Sequence, residues 1–253
     1  MKLMPIEESS VSTCQKLFSD LTKNTLYTYK VQYDGGSAPN PYSGTCTLAI
    51  CKPAIRRTAK KGDVIVGFAC KSNGDNELRI VYCMVVDEAI EWTDYIERCE
   101  SGQEGSLSGK IPKNDRDPGD CIWKRSTPHD PRASWSRHDA SDFCRDVERG
   151  ERVLLSRTYW YFGSASLVCL EDQMLPALGR GHRSTSNDDR RESFQTFFCD
   201  AVNKLPRPKI ANIYGRPSIS SGLYDDHKCG RCRVAERESD FTEDEDGGGT
   251  IGG

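Results

Sequence analysis

The sequence predicts an α+β fold, in which a mixed, mainly antiparallel sheet or a barrel is flanked by helices. Three short apolar runs, TCTLAIC, DVIVGFAC and LRIVYCMVV, are rich in β-branched residues and follow one another closely. The stretches KKGD and KSNGDNE have the composition of hairpin turns, which join antiparallel neighbours. Helical spacing appears mainly before and after this block, so we expect the helices at its edges.

The remaining elements follow from the spacing of their apolar residues. LYTYKVQYD alternates aromatic or apolar residues with polar ones and predicts a half-buried strand, and RVLLSRTYWYFG predicts a further strand. Helices are predicted in VSTCQKLFSDLTK, in IEWTDYIERC and, most clearly, in DDRRESFQTFFCDAVNKLP. Asn187 or Asp188 is expected to cap this last helix, and Pro206 to end it.

These elements predict one main domain. Residues 1–25 are expected to hold an N-terminal helix and residues 26–235 a single α+β domain, in which residues 101–150 form an irregular insertion. Residues 236–253 are an acidic, Gly-rich tail, with seven acids and one Arg between Glu236 and Asp246. We expect this tail to be disordered and available to a protein partner.

Charge and composition exclude several classes of protein. The formal net charge is −3, so the chain lacks a uniformly basic coat for nucleic acid, and any anion site is local. No apolar run reaches the roughly 20 residues of a membrane helix, and MKLMPIEESS lacks the apolar core of a secretory signal. We therefore expect a cytoplasmic protein without a membrane partner.

The 12 cysteines are mostly scattered singly through the predicted strands and helices. Free cysteine packs there as a small hydrophobe, so the pattern favours reduced thiols over a disulfide framework. This expectation covers Cys46, Cys51, Cys70, Cys83, Cys169 and Cys199.

Three cations follow the run TCTLAIC. Lys52, Arg56 and Arg57 lie in CKPAIRR, where Pro53 suits the first position of a helical turn. Forked guanidinium groups beside backbone amides at a helix start are a pattern that binds phosphate. The alternative is a solvated basic edge with carboxylates nearby.

The stretch TYWYFG concentrates aromatic residues. Alternation along a strand places Tyr159 and Tyr161 on one face and Trp160 and Phe162 on the other. One face belongs to the core, and the other could offer a stacking surface for a nucleobase, as could Trp123. The alternative is that these rings form the sheet core and a half-exposed edge.

Metal and cofactor motifs are weak. DHKCGRC supplies His227, Cys229 and Cys232, which make half of a zinc site, but no second CxxC exists and no metal is assigned. A zinc deaminase is excluded because no H-x-E precedes this motif and Lys228 stands where Pro is required. GSLSGKI is too short for a phosphate loop, and Ile111 replaces the Ser or Thr that binds magnesium. The sequence assigns no cofactor.

Residues 33–67, YDGGSAPNPYSGTCTLAICKPAIRRTAKKGDVIVG, closely resemble the opening signature of the second nucleotide-modification-associated domain family. The likeness continues through PGDCIW, RVLLSRTYWYFG and GRGHRS and covers residues 27–215. The resemblance implies a setting in phage or bacterial defence and DNA base modification, where such proteins work on, or beside, modified bases. It implies no particular reaction.

A looser likeness concerns the fold alone. Arg56, Ala59, Gly62, Asp63 and Phe68 occupy a pattern that resembles the barrel of EVE, YTH and other PUA-like modules. This resemblance implies a PUA-like barrel with a nucleobase pocket beside its strand-turn-Arg element.

The motifs leave more than one function open. The first is a nucleotide- or nucleic-acid-binding protein, with DNA as the expected nucleic acid. Its phosphate-binding residues would be Asn40, Lys52, Arg56, Arg57 and Arg183. Its base-stacking residues would be Trp123, Trp160 and Tyr161.

The second function is an enzyme, a transferase or hydrolase, acting on a nucleotide or base. Acid, base or nucleophile would come from Asp34, Cys46, Asp63 or His182, the polar residues inside the motifs that carry the family resemblance. A third is a protein-protein adaptor that uses the acidic tail and the insertion.

Overall fold

A computed structural model of the chain describes residues 24–69, 78–103, 107–114, 117–124, 142–169, 181–185, 188–206, 208 and 212–218. The predicted N-terminal helix in VSTCQKLFSDLTK and the acidic tail lie outside these residues. Among the described residues, no helix has the length and apolarity needed to cross a bilayer.

Nine strands and three α-helices make up the regular structure of these residues. The strands are β1 (Leu26–Val31), β2 (Cys46–Leu48), β3 (Val64–Ala69), β4 (Leu78–Val85), β5 (Glu88–Glu91), β6 (Arg152–Ser156), β7 (Thr158–Tyr161), β8 (Leu167–Cys169) and β9 (His182–Thr185). The helices are α1 (Pro53–Thr58), α2 (Trp92–Glu100) and α3 (Asp188–Asn203). A π-helical segment covers Cys144–Glu148, and short 3-10 turns cover Ser108–Lys110 and Gly163–Ala165.

Two sheets hold these strands. The larger has the order β7-β4-β3-β1-β9, with β8 also beside β4, and its β1–β3 pair is parallel while the other pairs are antiparallel. The smaller sheet is antiparallel with the order β2-β6-β5. The predicted mixed, mainly antiparallel α+β fold is therefore confirmed. The described strands form two open sheets and no closed barrel.

One predicted hairpin is wrong. KKGD does not join paired strands, because β2 lies in the smaller sheet, β3 in the larger, and α1 stands between them. The pairing of β3 with β4 is antiparallel, in agreement with the prediction for the runs on either side of KSNGDNE.

Two strand pairs run from one sheet into the other. Two residues separate β4 from β5, and Arg157 alone separates β6 from β7. The two corners are bonded to each other, since Asp87 N–H donates to Leu155 O at 2.9 Å and Arg157 N–H donates to the Asp87 carboxylate at 2.5 Å. The bends make the two sheets neighbouring layers.

Three hydrophobic clusters fill the spaces between layers. The first lies between α3 and the larger sheet, and Trp160 packs edge-to-face on Phe198 there, with ring centroids 5.1 Å apart. The second lies between the two sheets and includes Tyr29, Cys46 and Tyr161. The third lies between the smaller sheet and α2. Described residues of the predicted insertion, such as Ile122, belong to this third cluster.

A bulge explains one departure from strict alternation in the larger sheet. The register between β3 and β4 shifts at Gly67, so Val81 and Tyr82 both face the second cluster, between the two sheets. A Cβ on Gly67 would lie 2.3 Å from the Tyr82 ring. Glycine is needed at this position because of that close approach.

Most of the described cysteines are reduced and take part in no disulfide, as the sequence predicts. These are Cys46, Cys51, Cys83, Cys99, Cys121, Cys144 and Cys169. Cys199 differs, because it is disulfide-bonded. The expectation of a reduced thiol at Cys199 is therefore wrong.

Candidate functional site

The segment that enters α1 has an unusual backbone. Cys51 and Lys52 have φ values of 59° and 46°, a left-handed conformation that costs free energy for residues with a side chain. Pro53 then begins α1 with the φ that a helix start requires. The turn carries the Lys52 ammonium over the ring of Tyr29, 5.1 Å from its centroid.

Arg56 lies inside the protein. Its side chain is 0% exposed, and Nε, Nη1 and Nη2 donate to the carbonyl oxygens of Cys51, Arg152 and Asp146 at 2.7, 2.8 and 2.6 Å. Burial lowers the pKa of Arg56 to about 10. The guanidinium joins α1, the π-helical segment and β6, and it does not face a position where an external phosphate could lie.

Gly150 has no side chain and so leaves room for this buried guanidinium. A Cβ at Gly150 would lie 1.9 Å from Arg56 Nη2, so a larger residue would displace the arginine. The Trp92 indole N–H also donates to Asp146 O, at 2.9 Å, and the Asp146 carboxylate accepts from Cys51 N–H at 3.0 Å. These bonds fix the turn before α1.

The neighbouring cation, Arg57, is exposed and meets two further arginines. Arg57 Nη1 donates to Arg149 O at 3.1 Å, and Arg152 Nη2 donates to Arg57 O. Arg149 is exposed and Arg152 is half-buried. We call Arg57, Arg149 and Arg152 the basic face. Over 90 residues separate Arg57 from the other two arginines, so the fold rather than the local sequence brings them together.

His182 lies close to the basic face. It begins the edge strand β9, is half-buried, and its ring centroid is 6.2 Å from that of Tyr27 at an interplanar angle of 40°. The Tyr27 hydroxyl donates to Thr58 Oγ1, at the end of α1, at 3.3 Å. Arg152 is near enough to Tyr27 to act on its pKa electrostatically. Arg183 follows His182 and pairs with Thr28 of β1.

Asp34 is buried and fully engaged by hydrogen bonds. Its Oδ1 accepts from the Tyr161 hydroxyl at 2.6 Å, and its Oδ2 accepts from Ser218 N–H and Ser218 Oγ, both at 3.0 Å. Burial raises the pKa of Asp34, while these bonds oppose the rise. The Asp34 carboxylate joins the loop after β1 to Ser218, far along the chain.

Cys46 is a poor candidate for a nucleophile. It is fully buried on β2, between the sheets, and burial raises its pKa to about 12. The thiolate is the nucleophilic form, so Cys46 is unreactive at neutral pH. Asp63 is likewise engaged, because its two oxygens accept from Thr25 N–H at 2.8 Å and Lys60 N–H at 2.7 Å.

Asn40 belongs to a buried network around Lys110. The Lys110 side chain is 0% exposed, and Nζ donates to Asn40 O, Asn40 Oδ1, Tyr42 O and Thr45 O at distances of 2.5–3.0 Å. Burial lowers the pKa of Lys110, and the Asp120 charge opposes that fall. Lysine therefore fixes the loop of residues 40–45 from inside, and Asn40 points into the protein.

Asp120 completes the same network. Its carboxylate accepts from Thr47 Oγ1 at 2.5 Å and from the Tyr95 hydroxyl at 2.6 Å. Burial raises the pKa of Asp120, and Lys110 opposes the rise. The motifs APNP, CTLA and PGDCIW thus meet in one buried polar cluster.

The predicted base-stacking residues are all in the core. Trp123 is 1% exposed and packs edge-to-face on Phe143 at 5.2 Å, and Trp160 and Tyr161 are buried on opposite faces of β7. The predicted alternation is confirmed, but both faces of β7 are covered by other layers. Their burial does not fit stacking on an external base.

Metal ligands are not assembled in the described part of the chain. No group of three or more His, Cys, Asp or Glu that could hold a metal ion occurs there. His227, Cys229 and Cys232 lie outside the described residues.

The structure thus groups some predicted residues and separates others. Arg57 lies on the basic face, with His182 close by through Tyr27, and Lys52 lies apart from it over Tyr29. Asp34, Asn40, Cys46 and Arg56 are buried. Sequence reasoning missed Arg149, Arg152, Lys110 and Asp120. The only signal for Asp120 was its place in the motif PGDCIW, and Lys110 stood out only as part of GSLSGKI.

The family comparison covers the whole described core. A sequence model of the family described as nucleotide modification associated domain 2 matches residues 23–217. The chain belongs to this family. Both sheets, α1, the basic face and the Lys110 network lie within the matched range, so the resemblance read from the motifs is confirmed. The looser PUA-like likeness is not confirmed.

Membership of the nucleotide modification associated domain 2 family places the chain in a nucleotide-modification-associated role. The family description gives no reaction or ligand. No curated protein and no solved structure significantly matches the chain.

Proposed function

We propose that the chain is a nucleotide- or nucleic-acid-binding protein of a DNA base-modification or defence system, and that its basic face holds phosphate. The observation that carries the proposal is the meeting of Arg57, Arg149 and Arg152, in which guanidinium groups donate to main-chain carbonyl oxygens. Because the chain has a net charge of −3, such a local concentration of arginines is distinctive.

The chemistry of the basic face suits a phosphodiester. Guanidinium groups bind phosphate oxygens through two parallel N–H donors and keep their charge at every physiological pH. The bonds from Arg57 Nη1 to Arg149 O and from Arg152 Nη2 to Arg57 O fix the segments that carry the arginines, so less conformational entropy is lost when a ligand binds. Lys52, held over Tyr29, stays a predicted phosphate ligand in the turn before α1.

Within this proposal, His182 replaces the buried tryptophans as the base contact. Its ring is half-buried at the edge of the larger sheet and connects to the basic face through Tyr27. An aromatic ring beside a row of cations is the arrangement by which proteins bind single strands without reading their sequence. Arg183, next in β9, stays a predicted phosphate ligand, but alternation places it on the opposite face of the strand from His182.

The proposal is tested by the salt dependence of binding to a fluorescent single-stranded DNA, with normal and with modified bases. The variants are Arg57→Met, Arg149→Met and His182→Ala. Arg98→Met is the matched control. Arg98 is an exposed arginine on α2, and its Nη1 lies 2.8 Å from Oε2 of Glu88 on β5. Each substitution of arginine by methionine removes one charge, so global electrostatics change equally.

We expect Arg57→Met and Arg149→Met to weaken binding and to reduce the slope of log K against log salt by about 0.7 for each phosphate that is no longer neutralised. His182→Ala should weaken binding without changing that slope. If both arginine variants behave like Arg98→Met, the basic face is not a phosphate site.

A further inference from the structure

Two free thiols from different elements lie against each other beneath the smaller sheet. Cys99, on the last turn of α2, and Cys121, in the segment after Asp120, pack in the same hydrophobic cluster, and the interaction of the two thiols raises the pKa of Cys99. Both are buried, at 1% and 0% exposure, and both belong to the third hydrophobic cluster.

A second bond runs parallel to this thiol pair. Tyr95 lies one turn before Cys99 on α2, and its hydroxyl donates to Asp120, the neighbour of Cys121, at 2.6 Å. Cys121 N–H also donates to Lys110 O at 3.0 Å. These bonds hold the segments that carry the two thiols beside each other, and closeness of the two backbones is what a disulfide requires.

We propose that Cys99 and Cys121 form a reversible intramolecular disulfide when the protein meets a low-molecular-weight disulfide such as oxidised glutathione. In the first exchange, one thiolate attacks the glutathione disulfide, forms a mixed disulfide and releases one glutathione thiol. The second cysteine then attacks the mixed disulfide and releases the other glutathione thiol. Two protein thiols are oxidised, and one oxidised glutathione is reduced to two reduced molecules.

The surroundings make this a slow, protected site. The interaction with Cys121 and burial raise the pKa of Cys99, so the thiolate that starts the exchange is scarce at neutral pH. Reaction requires local opening of α2, after which the proximity of the two thiols favours ring closure over a lasting mixed disulfide. Once formed, the bond would hold α2 to the segment that supports Lys110.

The test uses the full chain in a glutathione redox buffer at pH 8, followed by acid quenching, alkylation, trypsin digestion and mass spectrometry. Cleavage after Arg98, Lys110, Arg116 and Lys124 places the two cysteines in the peptides 99–110 and 117–124. We expect these peptides to be linked in the wild type and in Cys83→Ser, which changes another buried cysteine. Cys121→Ser should lack the link.

Closing a loop of about 20 residues should contribute about 3 kcal/mol and raise the midpoint of thermal unfolding by about 10 °C in the oxidised wild type. The proposal is overturned if peptides 99–110 and 117–124 remain unlinked while the exposed Cys144 carries glutathione. It is also overturned if the linked form unfolds at a lower temperature, because the bond then forms in a non-native chain.

Discussion

Replacement of Arg56 by Met tests whether the two adjacent arginines of CKPAIRR have different roles. Methionine fills much of the volume of the arginine stem but removes the guanidinium, and the carbonyls of Cys51, Asp146 and Arg152 lose its three donors. Arg57→Met is the matched control, because Arg57 is exposed. The two variants change the same charge in neighbouring positions of one helix.

The size of the effect follows from two opposing contributions. Three hydrogen bonds from a charged donor contribute about 2 kcal/mol each, so about 6 kcal/mol is lost with them. Burial of the cation is unfavourable, as the fall of the Arg56 pKa to about 10 indicates, and methionine relieves this cost, which offsets part of the loss. We expect Arg56→Met to lower the free energy of unfolding by about 3 kcal/mol, with less than about 0.5 kcal/mol for Arg57→Met.

Urea unfolding at pH 7, followed by tryptophan fluorescence, measures both values. Trp92 donates to Asp146 O beside the Arg56 bond, so the signal reports on this region. Equal stability of Arg56→Met and Arg57→Met would falsify the structural role that we give to Arg56. A loss of DNA binding by Arg57→Met at unchanged stability is expected from the proposed function.

Three further predictions concern buried groups. Gly150→Ala should destabilise the wild type more than it destabilises the Arg56→Met variant, because the new Cβ would lie 1.9 Å from Arg56 Nη2. If the two substitutions changed the free energy of unfolding additively, this contact would be refuted. Asp34 binds protons more tightly when folded, so its contribution to stability is largest below its ordinary pKa of 3.8 and falls as pH rises through the raised pKa. Urea unfolding from pH 4 to 7 should therefore show wild type losing stability relative to Asp34→Asn, and a constant difference would refute the shift. Cys46, with a pKa of about 12, should resist iodoacetamide at pH 8 in the folded protein. The exposed Cys144 should react under the same conditions. Rapid alkylation of Cys46 would contradict its burial.

The strands and their alternation could be predicted, because local spacing determines them. Tyr159 and Trp160 were correctly placed on opposite faces of one strand. Their burial on both faces could not be seen, since it depends on α3 and on the smaller sheet, which are distant in sequence. The same limit applies to the misassigned hairpin at KKGD, where no local feature shows that β2 joins a different sheet.

The candidate site shows this limit within two residues. Arg56 and Arg57 have the same side chain and almost the same sequence neighbours. Which of them is buried is decided by the carbonyls of Asp146 and Arg152, at separations of 90 and 96 residues. The sequence could therefore locate a cluster of cations but could not tell the structural arginine from the one that faces solvent.

The bent strand pairs have a mechanical consequence. Because β4 continues into β5 and β6 into β7, covalent chain connects the two layers at two bonded corners. The layers cannot slide or spread without breaking strand hydrogen bonds, so we expect the spacing around Tyr29 and Cys46 to stay the same with and without a bound molecule. Any adjustment to ligands of different size must then come from side chains and loops at the rim.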